Sequence, residues 1–261
     1  MRGRRGPFLR LLLAVVVLGP ALAVAAPAPA TRAADSPLGA FGIDLAKRSD
    51  FVAQANFVQC VGASMQMMLN IIDVHDDRTA KTQRRLQSLA RQLSGPTREG
   101  FQRQGASVRG WTAGLNELEA GPYRLIGAQT LDEALRLAAT SIRETGKPVG
   151  LLVWGGRHAW VMSGFRATAD PRRTSDFRVT AAVVLDPLYP YGSSRWGPSP
   201  RPREAISPAK LGRQFVPRRH GTWAGALPGA AGATMAALSG KYVIVMPYIP
   251  IEFSRIGHVA A

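Results

Sequence analysis

Cysteine occurs once in this 261-residue chain, at Cys60. A single thiol is either inert, when buried in apolar surroundings, or a nucleophile, when a positive partner holds it as thiolate. A helix N-terminus and an imidazolium are two such partners. Cys60, Ser64, Met67, Met68 and Ile71 recur at three- and four-residue spacing, which predicts a helix beginning near the thiol. Asn70 and Asp73 fall off that face.

The base must come from one of four histidines: His75, His158, His220 and His258. His158 follows Gly155-Gly156-Arg157 and opens the apolar run Ala159-Trp160-Val161-Met162. A histidine at the head of a buried strand, behind a glycine turn, can present its ring to a cleft. It could equally be a core histidine that only hydrogen-bonds. His75 lies among Asp73, Asp76 and Asp77, a tract that reads as a solvated acidic turn more readily than as a metal site. His220 sits behind Arg218-Arg219, whose charge opposes proton uptake, and His258 lies in the C-terminal tail.

A catalytic base needs a group that orients it. Asp186 closes the β-forming run Val179 to Leu185 and precedes Pro187, 28 residues after His158. If the two strands pair, one hairpin brings the carboxylate to the ring; Asp at a strand end is also a common turn residue. Gln54, six residues before Cys60, could aim its amide N–H where an oxyanion forms, beside the Cys60 backbone N–H. Gln59, next to the thiol, competes for that role, and a solvated polar residue is the plain alternative for Gln54.

The elements that must carry these groups read as helices first and strands afterwards. A basic helix is expected from about Arg78 to Leu93, with a stripe of Leu86, Leu89, Ala90 and Leu93, stopped by Ser94-Gly95-Pro96. A Gly-rich stretch runs from Gly105 to Gly121. Thr130 with Glu133 forms a capping-box pattern for a helix reaching about Glu144, and Gly146-Lys147-Pro148 ends it. Strands are expected at Val149 to Trp154, Ala159 to Phe165, Phe177 to Leu185 and Tyr242 to Met246. This order predicts an α+β fold with an antiparallel sheet. Residues 189–240, rich in Pro, Gly and Arg, are expected to be a functional loop or a loose insertion, with one short helix near Pro208 to Phe215.

The first residues describe export. Arg2, Arg4, Arg5 and Arg10 precede the apolar run Leu11 to Leu18, and Ala23-Val24-Ala25 offers small residues for cleavage. That order predicts a signal peptide over residues 1–25, since the run is shorter than the ~20 residues that span a bilayer. A flexible lead-in, 26–40, a single domain, 41–250, and a tail, 251–261, follow. Removing residues 1–25 takes four arginines and no acid from a formal charge of +16, leaving +12. Such charge suits anionic partners, and for an exported protein a cell-wall polymer or acidic membrane surface before nucleic acid. It is equally compatible with a merely solvated basic surface. One cysteine excludes an internal disulfide.

Together these motifs resemble the papain-like cysteine peptidase superfamily, and within it the bacteriocin-processing-peptidase-like branch. Gln54-x5-Cys60 with Gly62-Ala63-Ser64 resembles its nucleophile motif. Gly146-Lys147-Pro148-Val149, Gly156-Arg157-His158-Ala159-Trp160-Val161, Val184-Leu185-Asp186-Pro187 and the closing Lys241 to Val245 resemble its later motifs in order. The resemblance covers about residues 50–250 and implies Cys60 as nucleophile, His158 as base, Asp186 as its orienter and Gln54 as oxyanion donor, with no cofactor or metal. It departs at Val61, where the family commonly has a small residue, and in the length of 189–240. What it implies is a free-standing exported thiol hydrolase acting on a peptide or protein. The same fold without turnover, binding a wall component or partner protein, and a basic surface-binding protein with an inert thiol are the alternatives.

Overall fold

The computed structural model describes residues 39–73, 76–95, 105–219 and 236–250. The expected signal peptide, the start of the lead-in, the tail, and His75, His220 and His258 lie outside the described residues. Strand β1 (Phe41–Asp44) comes first, followed by helices α1 (Cys60–Ile72), α2 (Ala80–Gln92) and α3 (Val108–Glu117). Strand β2 (Tyr123–Ala128) leads into α4 (Leu131–Thr145). Then come β3 (Val149–Val153), β4 (His158–Ala167) and β5 (Val179–Leu185). The small hairpin β6 (Gly192–Ser193) and β7 (Gly197–Pro198), β8 (Glu204–Ile206), α5 (Pro208–Leu211) and β9 (Tyr242–Pro247) complete the order.

The fold is α+β, with seven strands in one antiparallel sheet. Its order is β2-β9-β3-β4-β5-β8, and β1 pairs with the second half of β4. The sheet is therefore not confined to the C-terminal half, because β1 and β2 join it from among the helices. Neither was legible in the sequence: β1 is four residues long, and β2 carries Arg124 and Gly127 within an imperfect alternation.

Helices cover both faces of the sheet. Val149, Leu151, Val153, Trp160, Met162 and Phe165 pack with Ala134, Leu135, Ala138 and Ile142 of α4. The alternate residues Leu152, Ala159, Val161, Val243 and Val245 pack with Met65, Met68, Leu86, Trp111 and Leu115 of the first three helices. Side chains alternate between faces along a strand, so a strand covered on both sides reads as a continuous apolar run. That is why β3 and β4 could be located by composition alone.

Helix boundaries follow their caps. Thr130 Oγ1 accepts from the Glu133 N–H at 3.1 Å, while Glu133 Oε2 reaches back to the N–H of Gln129, one residue beyond the expected box. Gly146, with φ of 66°, ends α4 in the left-handed conformation that glycine adopts most readily. Asn70, expected off the packed face of α1, is buried because it exchanges two hydrogen bonds with the backbone of Asp77.

The Gly-rich stretch, to which the sequence assigned no element, contains a helix, α3. Ser107 Oγ caps it by accepting from the Gly110 N–H at 3.1 Å. The glycines serve close packing. A Cβ on Gly110 would stand 1.9 Å from the Ala90 carbonyl oxygen, and one on Gly114 would stand 2.7 Å from Met65 Cε. Helix propensity disfavours glycine by about 1 kcal/mol, and tertiary packing overrides it here. Gly110→Ala should therefore destabilise the protein by about 1–3 kcal/mol through overpacking. The measurement is a lowered urea midpoint at unchanged slope; wild-type stability would show that α2 and α3 have room to part.

Candidate active site

Cys60 is the first residue of α1 and is only partly buried. The turn before it is held from two directions. Asn56 Oδ1 accepts from the Val58 N–H at 3.1 Å, and the Asn56 carbonyl accepts from the Gln59 N–H at 3.2 Å. From α2, Gln83 accepts from the Ala55 N–H and donates to the Ala53 carbonyl. One helical turn later Gln87 accepts from the Gly62 N–H at 2.9 Å and donates to the Val58 carbonyl at 2.9 Å. Two buried glutamines four residues apart thus clamp both ends of the thiol's approach.

This clamp decides which donors remain at the helix start. The first N–H groups of a helix have no intrahelical acceptor. Gln87 takes that of Gly62, whereas those of Cys60 and Val61 have no partner among the described residues. Gly62 must be glycine for the clamp to close, since a Cβ there would stand 2.8 Å from both the Gln83 carbonyl and Gln87 Cβ.

His158 begins β4, and Asp186 directly follows β5, whose antiparallel pairing sets Val161 opposite Leu185. The register delivers the carboxylate to the ring: His158 Nε2–H donates to Asp186 Oδ1 at 2.7 Å, both residues buried. The same oxygen accepts from the Leu188 N–H at 2.9 Å. The Gln54 N–H donates to the Pro187 carbonyl at 2.8 Å, joining the cysteine loop to the aspartate turn. Ser64 Oγ donates to the Ala159 carbonyl, fixing α1 against the residue after the histidine. The Cys60 side chain lies close enough to the His158 ring to raise its pKa, and with Nε2 on Asp186 the nitrogen left to face it is Nδ1.

Burial alone would push the imidazole towards neutrality. Hydrogen bonds to Asp186 and Cys60, with the negative charge on both, outweigh it and raise the pKa from 6.5 to about 9. Trp154 completes the ring's surroundings. Its indole stacks on His158 with centroids 4.1 Å apart and planes inclined by 24°. Trp154 itself has φ of 58°, held by the tight turn in which the Gly156 and Arg157 N–H groups both donate to the Val153 carbonyl.

Three residues singled out in the sequence, Cys60, His158 and Asp186, thus meet in space. Gln54 stands at the edge of the group: its Nε2 donates to the Asn56 carbonyl at 2.8 Å, and its Oε1 is buried without a partner among the described residues. Gln59 is the N-cap residue of α1 and makes no side-chain cap. Asp77, from the acidic tract, is spent on local structure, accepting from Thr79 and Thr82, and the Thr82 hydroxyl foremost lowers its pKa. Among the described residues no three His, Cys, Asp or Glu side chains gather as metal ligands. Gln83, Gln87 and Trp154 were not singled out in the sequence. Gln83 and Gln87 carried one signal, polar residues at i and i+4 on the face that Leu86 and Ala90 mark as buried.

No family model matches the chain, and no curated protein or solved structure matches it.

The raised His158 pKa has a definite pH signature. A folded-state value above the unfolded 6.5 stabilises the fold fully below pH 6.5, and that stabilisation is lost as pH rises through about 9. An NMR titration of the ring should show a midpoint near 9, and Asp186→Asn should lower it. A wild-type midpoint at or below 6.5 would show that burial dominates the ring.

Proposed function

We propose that this chain is an exported papain-like cysteine hydrolase, a peptidase or related acyl hydrolase acting on a peptide or isopeptide bond. The observation that carries the proposal is the buried line from Asp186 through His158 to the thiol at the N-terminus of α1. The resemblance of the motifs around these residues supports it, as does the α+β arrangement with the thiol on the first α-helix.

In this mechanism His158 is an imidazolium and Cys60 a thiolate. The thiolate attacks the substrate carbonyl, and the oxygen takes up the negative charge. The Cys60 backbone N–H is free to bind that oxygen; Gln54 would join it by turning its second amide hydrogen, or the whole side chain, away from Asn56. His158 gives its proton to the leaving amine as the carbon–nitrogen bond breaks, leaving a thioester on Cys60. The now neutral ring takes a proton from water, whose hydroxide attacks the thioester and releases the acid. An amine in place of water gives transfer instead of hydrolysis through the same thioester. Asp186 keeps the ring oriented throughout.

A second proposal, a papain-like binding domain without turnover, has one observation in its favour. Gln54 Nε2 is engaged by its own loop rather than presented to the thiol. Its ligand would be an anionic wall component or a partner protein. Export rests on the signal-peptide pattern of residues 1–25; among the described residues no helix is long and apolar enough to cross a membrane.

Alkylation separates these possibilities. At about pH 6 a free thiol is almost wholly protonated, so iodoacetamide should label Cys60 at least about tenfold faster than a free thiol. His158→Ala should abolish that advantage. Labelling at the free-thiol rate in wild type would remove the hydrolase. Rapid labelling without release of a vinyl-sulfone-sensitive peptidase activity would favour the binding domain.

A further inference from the structure

Trp154 does more than cover the His158 ring. Its indole N–H donates to Gln214 Oε1 at 2.9 Å, and its backbone N–H donates to the Gln214 carbonyl at 2.8 Å. Gln214 Nε2 donates in turn to the Pro198 carbonyl in β7 at 3.0 Å. One buried glutamine therefore ties the β6–β7 hairpin to the residue stacked on the histidine. The turn of that hairpin carries Arg195 and Trp196.

Two guanidinium groups converge on that tryptophan. Arg195 Cζ lies 5.2 Å from the Trp196 ring centre, and Arg219 Cζ lies 5.8 Å from the same centre. Arg219 reaches it from the histidine side. Its N–H donates to the Gly155 carbonyl at 3.0 Å, and its Cγ lies 3.2 Å from where a Cβ on Gly155 would stand. The glycine next to Trp154 thus leaves the room that the arginine stem fills.

Nothing among the described residues balances this charge. Segment 187–219 holds seven basic side chains and one acid, Glu204. Lys210 pairs with Glu204, and Arg203 pairs with Asp44. Arg195 and Arg219 are exposed and have no carboxylate partner among the described residues. Like charges sharing one aromatic platform repel, and each guanidinium keeps its planar fork of donors open. An anion held between them removes the repulsion and satisfies both.

We propose that Arg195, Trp196 and Arg219 form a carboxylate-binding subsite on the His158 side of the thiol, selecting a peptide substrate with an acidic side chain. This rests on Cys60 being the acyl-transfer nucleophile. A carboxylate matches the guanidinium fork bidentately, and an acidic peptide supplies both the carboxylate here and the carbonyl at the thiol.

The test uses the full mature chain with Cys60→Ala, so that binding is read without turnover. Two hexapeptides with a neutral fluorophore, one alternating Glu and Gly and the other Gln and Gly, are titrated by fluorescence anisotropy at low salt. The Glu peptide should bind about tenfold more tightly, as for two charge-assisted contacts at a partly exposed site. Arg195→Gln with Arg219→Gln should bring that ratio close to one, with an unchanged circular dichroism spectrum confirming the fold. Arg195→Lys with Arg219→Lys should retain part of it. Equal affinity for both peptides overturns the subsite, and so does a preference that survives the double Gln substitution, which would belong to the general basic surface. Displacement of the Glu peptide by inorganic phosphate, and not by acetate at equal ionic strength, overturns the carboxylate assignment. Failure of the hydrolase mechanism shows separately, as slow alkylation of Cys60 in the wild type.

Discussion

An imidazole and a carboxylate buried together make a demand on everything around them. His158 is 4% exposed and Asp186 0% exposed, and a charge left unpaired at such depth costs several kcal/mol. The hydrogen bond between them is affordable only if the strands keep their register and the turn after β5 keeps its shape. The β4–β5 pairing provides the first, and the Leu188 N–H on Asp186 Oδ1 provides the second. The bond from Gln54 to Pro187 then places the cysteine loop against the same turn. The positions of thiol, ring and carboxylate follow from one buried pair and the backbone that holds it.

The helical layer meets the sheet at this point through a second set of buried polar bonds. Gln83 and Gln87 hold the loop that leads to Cys60, and Ser64 binds the Ala159 carbonyl beside the histidine. Satisfied networks of this kind specify one arrangement, because any alternative leaves buried groups without partners. The clamp also leaves the Cys60 and Val61 N–H groups open where a developing oxyanion would form. The same local geometry therefore serves packing and, in the proposed hydrolase, would serve chemistry as well.

Segment 187–219 is part of the domain rather than a loose insertion. It adds β8 to the sheet edge and places Phe215 in the core. Its hairpin turn presents the Trp196 ring to Arg195 and Arg219, and Gln214 joins that hairpin to Trp154. Around the candidate site positive charge is organised on Trp196 and close to the histidine turn.

The sequence by itself determined the periodic elements and the candidates for chemistry. A lone cysteine at the start of an apolar recurrence, a histidine opening an apolar run and an aspartate closing another are local patterns. So are the caps at Thr130 and Gly146 and the four long strands, because burial on both faces writes itself as continuous apolar composition. Tertiary structure alone decided the rest. Helix α3 exists because glycines admit close helix contact, and no propensity rule reports that. Gln83, Gln87, Trp154 and Gln214 matter through partners 25 to 60 residues away. Sequence spacing could not show that Cys60 and His158 meet, since their approach depends on how α1 crosses β4. The physical reason is the same throughout: periodicity records which face is buried, whereas a site is made by which buried faces are brought together.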